Sequence, residues 1–237
     1  MTGTPETRTV VVTDPPRADP ERVATLAGYG VATVHEALGR TGYLGPGIRP
    51  THHGYRLGGT AVTVLCRPGD NLMIHAAVEQ CSPGDVLVVT TTSPSTDGAF
   101  GELFATALQR RGVRGLLTTG GVRDIADLHA MDFPVFSGAV SAQGTVKATP
   151  GSVNVPVVVG GQIVRPGDAV LGDDDGTMVV PRPEVEHALR AAQARVDKEE
   201  ASRAAFREGE LGLDRYGLRQ TLADLGVRYV SAEEYGL

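Results

Sequence analysis

Phe100-Gly101-Glu102-Leu103-Phe104-Ala105-Thr106-Ala107-Leu108 opens the stretch whose reading decides the fold. Phe100, Leu103, Phe104, Ala107 and Leu108 recur at i, i+3, i+4, i+7 and i+8, the face of one helix, and Gly112 stands where a helix-ending glycine belongs. On either side the period changes. Val86 to Val89, just after Pro83-Gly84-Asp85, is a short apolar run suited to a buried strand, and Gly115-Leu116-Leu117-Thr118 is another. Asp124 to Met131 reads as a helix and Pro134-Val135-Phe136 as a strand. This β-α-β-α-β run predicts a partly parallel sheet with helices packed on it.

Upstream, Thr60 to Leu65 has strand composition, and Asp70 is placed to cap a helix running through Gln80. Asp19-Pro20 reads as the N-cap and first position of a helix, with a second helix over Val31 to Leu38 and a Gly/Pro-rich loop over Gly42 to Pro50. Val10-Val11-Val12, in the N-terminal tail, is suited to docking as an edge strand. Downstream of Gly144 come short β segments: Val153 to Val159, Gln162 to Val164, Ala169 to Leu171 and Thr177 to Val180. A long charged helix from Pro183 to Arg207, a helix from Asp214 to Leu225 and a terminal strand Val227 to Val230 complete the reading. Pro-Gly-Asp occurs at 68–70, 83–85 and 166–168. Each copy fits a turn in which Pro sets φ, Gly permits positive φ and Asp bonds local backbone. The expected architecture is α/β: one compact domain with a central mixed, curled β layer flanked by helices, and helical N- and C-terminal ends. A tail spans 1–18, the α/β domain 19–182 and a helical extension 183–237.

Composition narrows the function. The 237 residues carry 22 Lys and Arg against 28 Asp and Glu, and 22 − 28 = −6 is the wrong sign for a protein that grips phosphate backbones. No apolar run approaches ~18 residues, and Met1 to Asp14 lacks a basic start followed by an apolar stretch, so no membrane association and a cytoplasmic protein are expected. Cys66 and Cys81 stand outside any CxxC or Cys/His cluster and read as buried thiols. The six histidines are scattered, and His75 reads as a structural histidine within its helix.

Two loops are candidates for chemistry. Asp97 to Leu103 is punctuated by Gly98 and Gly101 and runs into the start of a helix, where unpaired amides and the helix dipole suit a small carboxylate or phosphate. An ordinary loop with Glu102 as a favourable first-turn acid explains the same residues. Thr118 to Asp124 lies between a strand and a helix, where α/β sheets bind ligands. Arg123 offers a planar fork to a carboxylate and Asp124 hard oxygens to a divalent metal. Equally, Asp124 can cap the helix and Arg123 pair with a surface acid. Glu199 falls among Arg195, Asp197, Lys198 and Arg203, as on a solvated helix face.

Taken together, Pro68 to Leu72, Gly101-Glu102-Leu103, Gly120 to Asp124, the run from Pro134 through Val155-Pro156-Val157 to Pro166-Gly167-Asp168, and Gly209 to Arg219 resemble the 4-hydroxy-4-methyl-2-oxoglutarate / 4-carboxy-4-hydroxy-2-oxoadipate aldolases. These share a superfamily with the regulator of ribonuclease activity A. The resemblance implies that superfamily's fold, which is phosphohistidine-domain-like. It also implies a class II pyruvate aldolase of aromatic-compound (protocatechuate or gallate) degradation that uses Mg²⁺ or Mn²⁺ and has oxaloacetate decarboxylase activity. By position, Asp124 would ligate the metal and Arg123 contact the enolate oxygen. Amides of Gly101, Glu102 and Leu103 would hold the pyruvyl carboxylate. Glu102, and Glu199 from a neighbouring subunit, would act on the metal's waters, and Lys147 would lie near the distal carboxylate. A homotrimer or homohexamer with shared sites follows, the C-terminal extension packing on a neighbour. The alternative is a non-catalytic protein-binding regulator of the ribonuclease-regulator type.

Overall fold

The computed structural model describes residues 9–237, so the start of the expected tail lies outside the described residues. The chain divides into two compact units, one through Gln193 and one over Ala194–Leu237. In the first, α1 (Pro20–Gly28) and α2 (Val31–Ala37) precede β1 (Arg49–Pro50), β2 (Leu57–Cys66), α3 (Leu72–Gln80), β3 (Asp85–Thr91), β4 (Gly98–Phe100), α4 (Glu102–Arg110), β5 (Gly115–Val122), α5 (Ile125–Ala130) and β6 (Val135–Val140). Then come β7 (Ser152–Val153), β8 (Val157–Val159), β9 (Gln162–Val164), β10 (Ala169–Asp173), β11 (Gly176–Val180) and α6 (Val185–Arg207), which crosses into the second unit. That unit continues with α7 (Gly212–Arg215), α8 (Leu218–Asp224) and α9 (Ala232–Tyr235).

The main sheet is mixed and runs β1-β6-β5-β3-β2-β10-β11, with β4 added to β5 and β7 to β2. The pairs β2·β3, β3·β5 and β5·β6 are parallel, as the central pattern predicts. The sheet curls until β1 lies against β11, so its two ends nearly meet. Strict alternation builds it: Val86, Val88, Leu117 and Phe136 point to the inside of the curl, with Leu57, Ala61, Val170 and Val179. Leu87, Val89, Leu116 and Val135 point outward beneath α3, α4 and α5, against Ile74, Ala105, Leu108 and Leu128. A third cluster packs Val23, Leu26, Val31 and Val34 with Ala188 of α6 onto Leu171, Met178 and Val180. Each fully buried Leu or Val contributes about 1.5–3 kcal/mol. The interior of the curl is plugged, for a Cβ on Gly172 would lie 2.9 Å from the Phe136 ring.

Local signals place the ends of elements. Asp19 caps α1, its Oδ1 accepting the amides of Glu21 and Arg22 at 3.0 Å each. The tail docks at Val11, which bridges Val153 in parallel.

Several expectations are corrected. Phe100 belongs to a three-residue strand and the helix starts at Glu102. Leu103 and Ala107 are exposed, while Ala105 and Leu108 are buried, because the apolar stripe of α4 is shared between the core and a cavity. Val153 to Val159 is two strands, interrupted by Asn154 at φ +56°. Asp214 to Leu225 is two short helices parted at Gly217, φ +65°. Val227 to Val230 is not a strand: β composition needs a neighbouring strand to pair with, and no ladder among the described residues includes these four.

Candidate functional site

The four parallel strands β2, β3, β5 and β6 end on one side of the sheet, and the segments following them surround a cavity of about 310 Å³. That size is at the lower end for ligand cavities, roughly 300–1,000 Å³, and suits a compact acid. After β5, Arg123 continues the chain and Asp124 turns it at φ +59°, a left-handed conformation that Asp tolerates better than most residues. Asp124 occupies the N-cap position of α5 without capping it. Its Oδ2 instead accepts the amide of Glu102 at 3.1 Å and lies 3.7 Å from Arg123 Nε. Asp124 thus joins the start of α4 to the end of β5. Gly101 is what admits it, since a Cβ there would overlap the Asp124 carboxylate.

Gly101, Leu103, Arg123, Asp124 and Lys147 all line the cavity. Of the three amides expected to hold a carboxylate, that of Glu102 is engaged by Asp124. The Glu102 side chain runs along its own helix, Oε1 accepting the Thr106 hydroxyl at 2.7 Å. Glu199 is in the second unit, on α6, paired with Arg195 at 2.8 Å.

Sequence reasoning missed Asn71 and set His75 aside. Asn71 lines the cavity and is 8% exposed; its Nδ2 donates to Ala99 O at 3.0 Å, while its buried Oδ1 has no partner among the described residues. A buried amide oxygen without a donor calls for a ligand hydroxyl, amide or water. The signal was present in Pro68-Gly69-Asp70-Asn71, which I-to-i+3 turn logic places just before a helix. His75 lies one turn further on α3, its ring 4.5 Å from that of Phe104. Partial burial and the nearby Lys147 ammonium hold its pKa below the ordinary imidazole value.

Among the described residues no three His, Cys, Asp or Glu side chains converge as a metal cage. The donor set does fit a hard cation that keeps most of its waters: Asp124 supplies one carboxylate, and its contacts with Glu102 and Arg123 fall on Oδ2, leaving Oδ1 to coordinate. Cys66 and Cys81 are buried and their thiols are pushed up to about 12, first by burial, so neither offers a thiolate. No helix among the described residues is long and apolar enough to cross a membrane.

A protein of Halalkalibacterium halodurans provisionally named 4-hydroxy-4-methyl-2-oxoglutarate aldolase is 31% identical over 169 residues, 71% of this chain and 80% of that protein. Among solved structures, RraAS2 of Streptomyces coelicolor, described as an unusual member of the RNase ES inhibitor RraA protein family, matches with a TM-score of 0.69 at 30% identity, over 79% of this chain and 99% of its own. An uncharacterized protein from Pseudomonas syringae pv. tomato matches with a TM-score of 0.71 at 25% identity, over 83% of this chain and 97% of its own. The RraA-like profile described as Aldolase/RraA matches residues 31–179, a span that holds nearly the whole curled sheet and the cavity at its strand ends, and the chain therefore belongs to the Aldolase/RraA family.

Proposed function

We propose that the protein is a divalent-metal-dependent class II aldolase that cleaves 4-hydroxy-2-oxo di- and triacids to pyruvate and a second 2-oxo acid. The substrates in view are 4-carboxy-4-hydroxy-2-oxoadipate, which yields oxaloacetate, and 4-hydroxy-4-methyl-2-oxoglutarate, which yields a second pyruvate. The observation that carries this reading is Asp124, held against the start of α4 beside the Arg123 fork at the mouth of a small cavity. The relatives' aldolase names support it.

The chemistry needs a sink for negative charge. The C4 hydroxyl gives up its proton, the C3–C4 bond breaks, and its electron pair passes into the enolate of pyruvate, which is then protonated at C3. Arg123 presents its planar cationic fork to the C2 oxygen as charge develops there. Asp124 would hold Mg²⁺ or Mn²⁺, which when bound supplies Lewis-acid stabilisation of the same oxygen. The amides of Gly101 and Leu103 at the start of α4 suit the pyruvyl carboxylate, and Lys147 suits the distal one. Glu102, and Glu199 from a neighbouring copy, would accept the hydroxyl proton through water. Decarboxylation of oxaloacetate passes through the same enolate and is expected as a second activity.

The test is pyruvate release from both aldols and from oxaloacetate, in Mg²⁺ or Mn²⁺ and after chelation. Metal-dependent release is expected. No release from any of the three in either metal would leave the protein-binding regulator reading, which the likeness to the Streptomyces coelicolor protein supports. For the shared site, Arg123→Ala and Glu199→Ala chains refolded together should regain about a quarter of parental activity in a head-to-tail ring, where each alone is nearly dead. No recovery in confirmed mixed oligomers would return Glu199 to a solvated helix face.

A further inference from the structure

Asp70 is a carboxylate that the chemistry above does not use, yet it is only 3% exposed and richly bonded. Its Oδ1 accepts the amide of Leu72 at 2.8 Å, and its Oδ2 accepts those of Ala148 at 2.8 Å and Thr149 at 2.7 Å. The same two segments pair through backbone: Val146 N donates to Gly69 O at 2.9 Å and Asn71 N to Val146 O at 3.0 Å. Every neighbour of Lys147 from 146 to 149 is thereby tied to the start of α3. Lys147 lines the cavity, as do Asn71 and His75 on the other side of the tie. Burial pushes the Asp70 carboxyl up, but the three amides and the Thr149 side chain together outweigh it and hold the group below the usual carboxylate range, so the tie is ionic at neutral pH.

An acid that only braced a turn would bond within it. Asp70 reaches 78 and 79 residues along the chain to the segment that carries a cavity cation. We infer that Asp70 is a positioning residue, which fixes Lys147 at the cavity wall and so sets the affinity for the distal carboxylate of the substrate. The inference rests on the aldolase reading above.

The experiment compares the full-length parent, Asp70→Asn, Lys147→Ala and the double variant. Asn keeps the shape of the side chain but replaces one accepting oxygen with an NH₂ group that cannot accept. For Asp70→Asn, KM for 4-carboxy-4-hydroxy-2-oxoadipate should rise ~10-fold with kcat within about 2-fold, the pattern of a lost uniform-binding contact. Inhibition by pyruvate, which has no distal carboxylate, should be unchanged, and the Ala148 and Thr149 amides should exchange hydrogen faster. In the Lys147→Ala background the same change should leave KM where it was. Additive KM effects, an equal loss of pyruvate inhibition, or unaltered amide exchange would overturn the inference. If Asp70→Asn does not fold, Asp70→Glu keeps the charge while displacing it by a methylene, and the same readouts decide. A parent inactive on every aldol would overturn the aldolase reading and the substrate half of this inference, while amide exchange would still decide whether Asp70 ties the segment.

Discussion

Arg67-Pro68-Gly69-Asp70 and Ser82-Pro83-Gly84-Asp85 begin as the same structure. In each, the Asp amide donates to the carbonyl three residues back at 3.1 Å, and the glycine sits at φ +70° or +89°, as a type II turn requires. They part company at the carboxylate. Asp85, at the start of β3 and 0% exposed, turns back to the amide of Ser82 at 2.7 Å and takes Arg17 Nε at 3.0 Å and the Thr60 hydroxyl. Asp168 behaves as Asp85 does, accepting the amides of Arg165 at 2.9 Å and Arg182 at 2.8 Å. Asp70, beyond the end of β2, reaches across to the cavity loop. One tripeptide therefore locks the sheet where it leads into a strand and shapes the cavity where it follows one, and what decides is which end of a strand it joins.

The comparison can be broken from either end. The largest effect belongs at the cavity: Asp124→Asn should lower kcat by ~10³-fold or more, beyond the loss of a single oxyanion donor, with little change in melting temperature because Asn also tolerates the left-handed backbone. Pyruvate release and a thermal melt on one preparation check both halves. Next comes Asp85→Ala, which takes the carboxylate from Arg17 and leaves it only backbone carbonyls, and should cost about 3–5 kcal/mol in a denaturant titration. Its kcat per folded molecule should match the parent, and a catalytic loss larger than the folding loss would erase the distinction between the two ends.

Arg123→Lys should follow, with kcat down ~10²-fold, since the charge remains while the planar fork is lost. Near-parental kcat would make Arg123 a structural residue. The smallest effect is a pH slope from His75. Because its folded pKa lies below that of the unfolded chain, the unfolded state takes up the proton first, and stability falls as pH drops below about 6.5. His75→Gln should flatten that slope slightly, as expected for an exposed ring, in urea titrations at pH 5 and 7.5.

Much of the first unit could be read from the chain because alternation and burial coincide there: Val86 to Val89 and Gly115 to Thr118 form strands whose side chains go alternately to the two clusters. The extension of β5 through Thr119-Gly120-Gly121 to Val122 could not, since two successive glycines read as a loop while Gly121 serves a close approach. A Cβ at Gly121 would overlap the backbone of residues 96 and 97. Gly101, Arg123 and Asp124 stood out as a glycine-marked loop end, but the bond between Asp124 and the Glu102 amide spans 22 residues and is visible only when folded. Asn71 and Lys147 reach one cavity through long-range ties between the start of α3 and residues 146–149, made by Asn71 and Gly69 backbone as well as by the Asp70 carboxylate. The second unit misled the reading at Val227 to Val230, where apolar content stood in for a pairing that does not form.

Asp124 also sets a limit on the alphabet available to this site. At φ +59° the backbone admits Gly, Asn and Asp readily and disfavours longer or branched side chains. Among those three only Asp is anionic, so geometry and charge together leave a single letter. Glutamate would keep the charge yet meet both an unfavourable backbone and a pocket cut to the shorter carboxylate by Gly101. A saturation library at 124 should therefore return a single active solution, and a search for altered metal or substrate preference will find more room at 71, 75 and 147.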